Sequence, residues 1–231
     1  MKTLKFPKIL NGVTLAAALS AVLVSANANA EFVLGGDVGY ASNTGKVDWS
    51  VDNFGNKSSS FGVFGQYIFA AQPGDAGFGV HVGYATESGE ISVGCSDNRR
   101  IKCSYLDLDN TIDIMGVYRT AEFGEGWSGL VMFGYSRREA EVGYESNVFL
   151  PGADGTFNTN DDIEVSGQND SATHTGYKIA IGVQKTFRDG WSMQTQVQYA
   201  DYGEETYRPA GAETKVDMTS LGLRIGVAHH F

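Results

Sequence analysis

The chain has 231 residues, 27 of them acidic against 17 basic, for a net charge of −10. That balance argues against a nucleic-acid partner, which needs a basic stripe, and fits a surface facing divalent cations or basic partners. Thirty glycines with only four prolines suit tight turns and strands carrying small inward side chains.

Residues 1–30 carry Lys2, Lys5 and Lys8 and no acid, then an apolar stretch from Ile9 to Val24, then Ala28-Asn29-Ala30. This is the order of a secretory signal peptide with an A-x-A cleavage site. The competing reading, a transmembrane helix, is opposed by Asn11, Gly12 and Thr14 and by a stretch short of a full span. The expected organisation is a cleaved signal over 1–30 and one domain over 31–231. After Ala30 no run of about 18 apolar residues remains, so no transmembrane helix is expected.

Eight segments then alternate with a period of two, the mark of β-strands. In chain order they are 32–41, 61–69, 78–85, 105–119, 127–136, 175–187, 191–200 and 220–231. In the fourth, one parity carries Leu106, Leu108, Ile112, Ile114 and Tyr118. The connections alternate too: 70–77, 120–126 and 188–190 are short, whereas 42–60, 86–104, 137–174 and 201–218 are long and polar. One end of every strand carries an aromatic on the apolar parity: Phe32, Phe69, Phe78, Tyr118, Trp127, Phe187, Trp191 and Phe231. At the opposite end Tyr40, Phe61, Tyr84, Tyr135, Tyr177 and Tyr199 do the same. Two aromatic rows about eight residues apart stand roughly 20 Å apart on strands tilted near 40°, close to the height of a lipid-facing band. A soluble sandwich would instead turn its aromatics into the core. The expected fold is all-β: an eight-stranded antiparallel up-and-down transmembrane β-barrel with short periplasmic turns and long extracellular loops.

The final strand, Ser220 to Phe231 (SLGLRIGVAHHF), puts Leu221, Leu223, Ile225, Val227, His229 and Phe231 on one face. It resembles the C-terminal signal strand of bacterial outer-membrane proteins, and the whole chain is similar in architecture to the small eight-stranded barrels: the OmpA-type transmembrane domain and its opacity-protein and adhesin relatives. That resemblance implies a Gram-negative outer-membrane address, engagement of the barrel-assembly machinery through the last strand, and contact with outer-membrane lipid and lipopolysaccharide. It also implies adhesion, host-factor binding or envelope integrity among its roles. Because the chain stops at Phe231, no periplasmic peptidoglycan-binding domain is expected.

The inward parity places Asp37, Gln66, His81, Asp107, Asp109, Asp113, Lys178, Gln184, Gln194, Gln196, Gln198 and Arg224 in the lumen. Eight strands enclose a space that side chains fill. Asp37 and Arg224 are expected at similar depth on the strands that close the barrel, and Asp113 and Lys178 near its middle. A buried ion-pair and amide network plugging the lumen follows. The alternative is a narrow or gated ion path lined by the same groups, in the manner of a porin.

The long connections carry two further candidates. Cys95 and Cys103 are the only cysteines, and in an exported chain such a pair reads as a disulfide. It would enclose Arg99, Arg100 and Lys102, a basic knob suited to lipopolysaccharide phosphate or a sulfated glycan, or else simply protect a loop from proteolysis. The longest loop contains Pro151 to Ile163 (PGADGTFNTNDDI), with Asp154, Thr156, Asn158, Asn160 and Asp162 at every second position. Oxygen ligands so spaced suit Ca²⁺, while the same residues are ordinary turn formers. No other cofactor is expected. For enzymatic chemistry only His174 beside Asp170 hints at acid–base work, and the expectation is that the protein is not an enzyme.

Overall fold

The computed structural model describes residues 30–47, 54–69, 74–94, 104–144, 148–150, 163–165, 169–208 and 213–231. Its strands are β1 (Ala30–Val47), β2 (Phe54–Phe69), β3 (Gly77–Ser88), β4 (Glu90–Gly94), β5 (Ser104–Arg119), β6 (Trp127–Tyr144), β7 (Val148–Leu150), β8 (Ile163–Val165), β9 (Asp170–Thr186), β10 (Trp191–Tyr207) and β11 (Thr214–His230). Eight of them are long, and each pairs antiparallel with its neighbours in the order β3-β2-β1-β11-β10-β9-β6-β5. Pairing of β3 with β5, from Gly77↔Arg119 to Thr86↔Asn110, closes the ring. The short β4 continues the wall beside β5, and β7 with β8 forms a separate hairpin. The described residues contain no helix long and apolar enough to cross a membrane; this chain crosses with strands.

Between the two aromatic rows the outward side chains are apolar and exposed, among them Val38, Ile114, Phe133, Ile181, Val197 and Val227. An apolar belt of that extent is stable only against lipid. The lower row faces outward: Phe69, Phe78, Trp127, Phe187, Trp191 and Phe231 are exposed, while Phe32 and Tyr118 are half-covered by Phe231 and Phe78. In the upper row Tyr40, Phe61, Tyr135, Tyr177 and Tyr199 are exposed and Tyr84 is half-buried.

The wall is taller than the alternation of outward apolar residues foretells. Strands β9, β10 and β11 have 17 residues each. At about 3.3 Å per residue and a tilt near 40°, such a strand stands roughly 43 Å high, against a band of about 25 Å. The segments expected as long loops therefore begin and end as wall. Above the upper aromatics the pattern inverts: on β6, Arg137 faces out while Arg138, Ala140 and Val142 are buried inside. Outside the membrane water replaces lipid at the outer face, so polar residues go out and apolar ones in.

One register shift matters for the site. Between Leu108 and Thr111 a β-bulge inserts one residue opposite Ala140–Arg138. A bulge of one residue exchanges the two faces of the strand. Above it Leu106 and Leu108 therefore turn inward and are buried, whereas Asp107 and Asp109, expected in the lumen, are exposed on the outer wall.

Candidate functional site: a filled lumen

The inward side chains stack in layers from the periplasmic end upward. The lowest is a ring of four. Arg119 Nη1 lies 2.6 Å from Glu31 Oε2, and Arg119 Nη2 donates to the Asp75 carbonyl at 3.3 Å. His230 Nδ1 bonds Glu31 Oε1, and His230 Nε2 is 2.7 Å from Ser192 Oγ. Each member sits one residue inside a girdle aromatic on its own strand: Phe32, Tyr118, Trp191 and Phe231. Ser192, His230 and Glu31 have the order of a nucleophile, base and acid. Ser192 is only 2% exposed, however, so a substrate carbonyl cannot reach its Oγ.

Above that ring the lumen is half apolar and half amide. Ile68, Met115, Val117, Leu130, Met132 and Ala180 pack together on one side. Gln66 Nε2 donates to His81 Nδ1 at 3.2 Å and lies 3.4 Å from Gln194 Oε1, and Phe64 stacks on the His81 ring. Gln184 and Gln196 are buried at neighbouring inward positions, and Gln198, half-buried, donates to Gln196 at 3.2 Å. His81 is thus a member of a hydrogen-bond network inside the wall.

The middle layer is ionic. Lys178 Nζ donates to both oxygens of Asp113, at 2.7 and 2.8 Å, and Ser136 Oγ donates to Asp113 at 2.6 Å. Arg224 Nη1 stands 3.6 Å from Asp37 Oδ2 and 3.7 Å from Asp113 Oδ2. The strands place these groups because Asp37 and Arg224 are inward on adjacent β1 and β11, two register steps apart. Salt bridges this deep are stable only when both partners are present and further bonds fill the remaining lone pairs. Asp107 and Asp109 take no part in the layer.

Arg138 organises the next layer, which composition and parity alone did not single out. Its Nη2 bonds Glu87 Oε1 at 2.9 Å, its Nη1 bonds Asn43 Oδ1 at 3.0 Å, and its guanidinium lies 4.2 Å from the Tyr202 ring centre. Thr111 donates to Glu87 at 2.5 Å, and Asn43 donates to Ser58 at 2.9 Å. Burial alone would push the Glu87 carboxyl up, but Arg138 and Thr111 outweigh it and hold the group below the usual carboxylate range. Between this layer and the ionic one lies a cavity of about 30 Å³, bordered by Arg138, Lys178, Arg224, Ser58 and Ser220. That is room for one or two waters.

The top layer is an apolar core beyond the membrane: Leu106, Leu108, Ala140, Val142, Tyr202, Tyr207, Val216 and Met218. His174, expected beside Asp170, is instead wholly buried here. Its Nε2 is 2.7 Å from the Tyr207 hydroxyl and its Nδ1 is 3.3 Å from the Gly203 carbonyl. Burial lowers its pKa to about 4, the Arg138 charge adding to the effect and the Gly203 bond opposing it. Asp170 accepts from the Arg208 backbone N–H at 2.6 Å. His229, on the outer face, packs edge-on against Trp191 and beside Phe231. Cys95, Cys103, Asp154, Asn158, Asn160 and Asp162 lie outside the described residues.

Comparison with known proteins agrees with this geometry. No curated protein matches the chain. Among solved structures, outer membrane protein OprG from Pseudomonas aeruginosa aligns over 87% of this chain and 95% of its own, at 13% identity and a TM-score of 0.56. Neisserial surface protein A aligns over 87% and 97%, at 14% identity and a TM-score of 0.49. The attachment invasion locus protein Ail of Yersinia pestis, solved with the heparin analogue sucrose octasulfate, aligns over 84% and 98%, at 15% identity and a TM-score of 0.38. The likeness to OprG is one of fold alone. The model of the outer membrane protein beta-barrel domain matches residues 14–231. With its closed ring of eight lipid-facing strands, the chain belongs to the outer membrane protein beta-barrel domain family, and its place is the outer membrane of a Gram-negative cell.

Proposed function

We propose that this protein is a rigid outer-membrane anchor whose work is done by its extracellular end, as a structural and surface-binding protein of the adhesin type. The observation that carries the reading is the filling of the lumen: five layers of ion pairs, amides and apolar side chains follow one another from Glu31–Arg119 to Tyr207–His174. A conduit has no use for an apolar core across its mouth. A platform that must hold loops in place does, because rigid walls position variable connections. We assign the protein no catalytic role.

The loops that would meet a partner carry the further elements of the reading. A Cys95–Cys103 disulfide would present Arg99, Arg100 and Lys102 to an anionic headgroup or glycan. Asp154, Asn158, Asn160 and Asp162 would take Ca²⁺ in the loop between β6 and β9. Residues 1–30 would serve as the export signal. The test is to replace residues 95–103, which lie between the end of β4 and the start of β5, by a short turn. The expected result is a barrel that keeps its heat-modifiable gel shift and loses binding to lipopolysaccharide or to sulfated glycan on a surface. Retention of full binding by the shortened barrel would refute the assignment to that loop.

A second reading rests on the cavity beside Lys178 and Arg224, where Arg224 stands 3.6 and 3.7 Å from Asp37 and Asp113. Rearrangement around that space would give a narrow gated ion path. Discrete conductance steps that change in Lys178→Ala would favour it.

A further inference from the structure

The strand register reveals an interrupted line in the described wall, between β9 and β10. β9 pairs with β6 along nearly its whole length, up to Val142↔Asp170. β10 likewise pairs with β11 up to Tyr207↔Thr214. Between β9 and β10, however, the ladder stops at Asp201↔Tyr177. Above that level, residues 170–176 of β9 and 202–207 of β10 stand side by side without ladder pairing.

The cause is local. The β10 register shifts between Asp201 and Glu204, and Gly203 there has φ of +67°, a left-handed conformation that suits glycine. The Asp201 carboxylate accepts the Gly203 N–H at 3.1 Å and holds this bulge. Just above the last paired level, Gly176 lies so close to β10 that a Cβ there would run into the Asp201 carbonyl oxygen.

Side chains bridge the gap where the backbone does not. His174 reaches from β9 to both the Gly203 carbonyl and the Tyr207 hydroxyl of β10, and Asp170 reaches to the Arg208 N–H. In the neutral tautomer that satisfies both bonds, His174 donates through Nδ1 and accepts through Nε2. A second proton would take the Nε2 lone pair, so the bond would reverse, Nε2–H donating to the Tyr207 oxygen and leaving the Tyr207 O–H proton without that acceptor. It would also put a cation beside buried Arg138, its cross-strand neighbour, under the apolar core of Leu106, Leu108 and Val216.

We propose that the extracellular wall is latched along this seam, with His174 as the latch, and that the seam opens when His174 takes up a proton. The charged and titratable groups around it are Arg138 on β6 with Glu87 of β3, Tyr202, Tyr207 and Glu205 on β10, and Asp170 on its own strand. None of them supplies an anion paired to His174, since Glu87 is committed to Arg138 and Asp170 to Arg208. The direction of the shift in His174 fits: its folded pKa lies below the ordinary 6.5, so the latch is fully closed above 6.5 and is lost as pH falls toward about 4. An opened seam exposes two strand edges to the medium, the arrangement that accepts an extended peptide.

The test is a distance across the seam. Spin labels at Thr175→Cys on β9 and Glu204→Cys on β10, both exposed positions, are placed in a background with Cys95 and Cys103 replaced by Ala. Between pH 7 and pH 4 the separation is expected to grow by about one strand spacing, ~5 Å. In His174→Gln the separation should be the same at both pH values. Gly176→Ala should widen it already at pH 7, and a gel-shift control confirms that each variant retains its folded barrel. A wild-type distance that does not change with pH overturns the proposal, as does an equal pH response in His174→Gln or a wild-type distance in Gly176→Ala.

Discussion

Replacing Asp113 by leucine removes the acceptor of two Lys178 bonds, at 2.7 and 2.8 Å, and of the Ser136 bond at 2.6 Å. It leaves Lys178, 3% exposed, with no carboxylate partner, while Arg224 retains Asp37 at 3.6 Å. Stranding a buried charge in this way costs about 3–5 kcal/mol. Lys178→Met strands Asp113 instead, but Arg224 at 3.7 Å and Ser136 still face it, so the loss should fall toward the lower end of that range. The double variant Asp113→Leu/Lys178→Met removes both charges and substitutes apolar volume. Its stability should return to within about 1 kcal/mol of the parent. Guanidinium unfolding in lipid vesicles, followed by tryptophan fluorescence, reads this directly. With a slope of about 4 kcal/mol per molar, Asp113→Leu should lower the midpoint by about 1 M and the double variant by about 0.3 M or less. If the double variant loses the sum of the two single losses, Lys178 and Asp113 are not coupled and the ionic layer is not what fills the barrel.

The bulge before Thr111 predicts opposite outcomes for neighbours on one strand. Leu108→Ala should cost about 2–5 kcal/mol in the same unfolding assay, as a core truncation, while Asp109→Asn should stay within about 0.5 kcal/mol. Arg138→Met should leave Glu87 buried without its cation and raise the carboxyl's pKa, visible as a shifted side-chain carboxyl titration by NMR. In the parent, the depressed Glu87 pKa contributes stability that is present above the ordinary carboxylate value of 4.5 and is lost as pH falls through the folded value. Protection factors of the amides around Glu87 should therefore fall below that range, and Arg138→Met should weaken the dependence.

The lipid-facing belt was legible because a period of two with aromatics at both ends reports burial in lipid directly. Asp37, Gln66, His81, Asp113, Lys178 and Arg224 fell inside by the same parity. Two physical effects hid the rest. Above the membrane the outer face meets water, so strands there look polar, and Tyr202, Tyr207, Val216 and Met218 read as loop residues although they form a core. A single inserted residue near Leu108 reversed the faces of β5 above it and sent Asp107 and Asp109 outward. No propensity distinguishes such a bulge from continuous strand. The periplasmic ring, by contrast, left a signal that went unused: Glu31, Arg119, Ser192 and His230 each directly neighbour a girdle aromatic and must point the other way. His174 stayed tied to Asp170 by proximity in sequence, and only the seam between β9 and β10 shows why it reaches Tyr207 instead.

The account turns on whether the lumen is filled in the membrane as it is in the fold. Purified protein in planar bilayers measures that most directly. The account predicts a flat current trace across the full voltage range, unchanged in Lys178→Ala beyond a loss of stability. Discrete conductance steps in the parent protein, altered in size by Lys178→Ala, would contradict it.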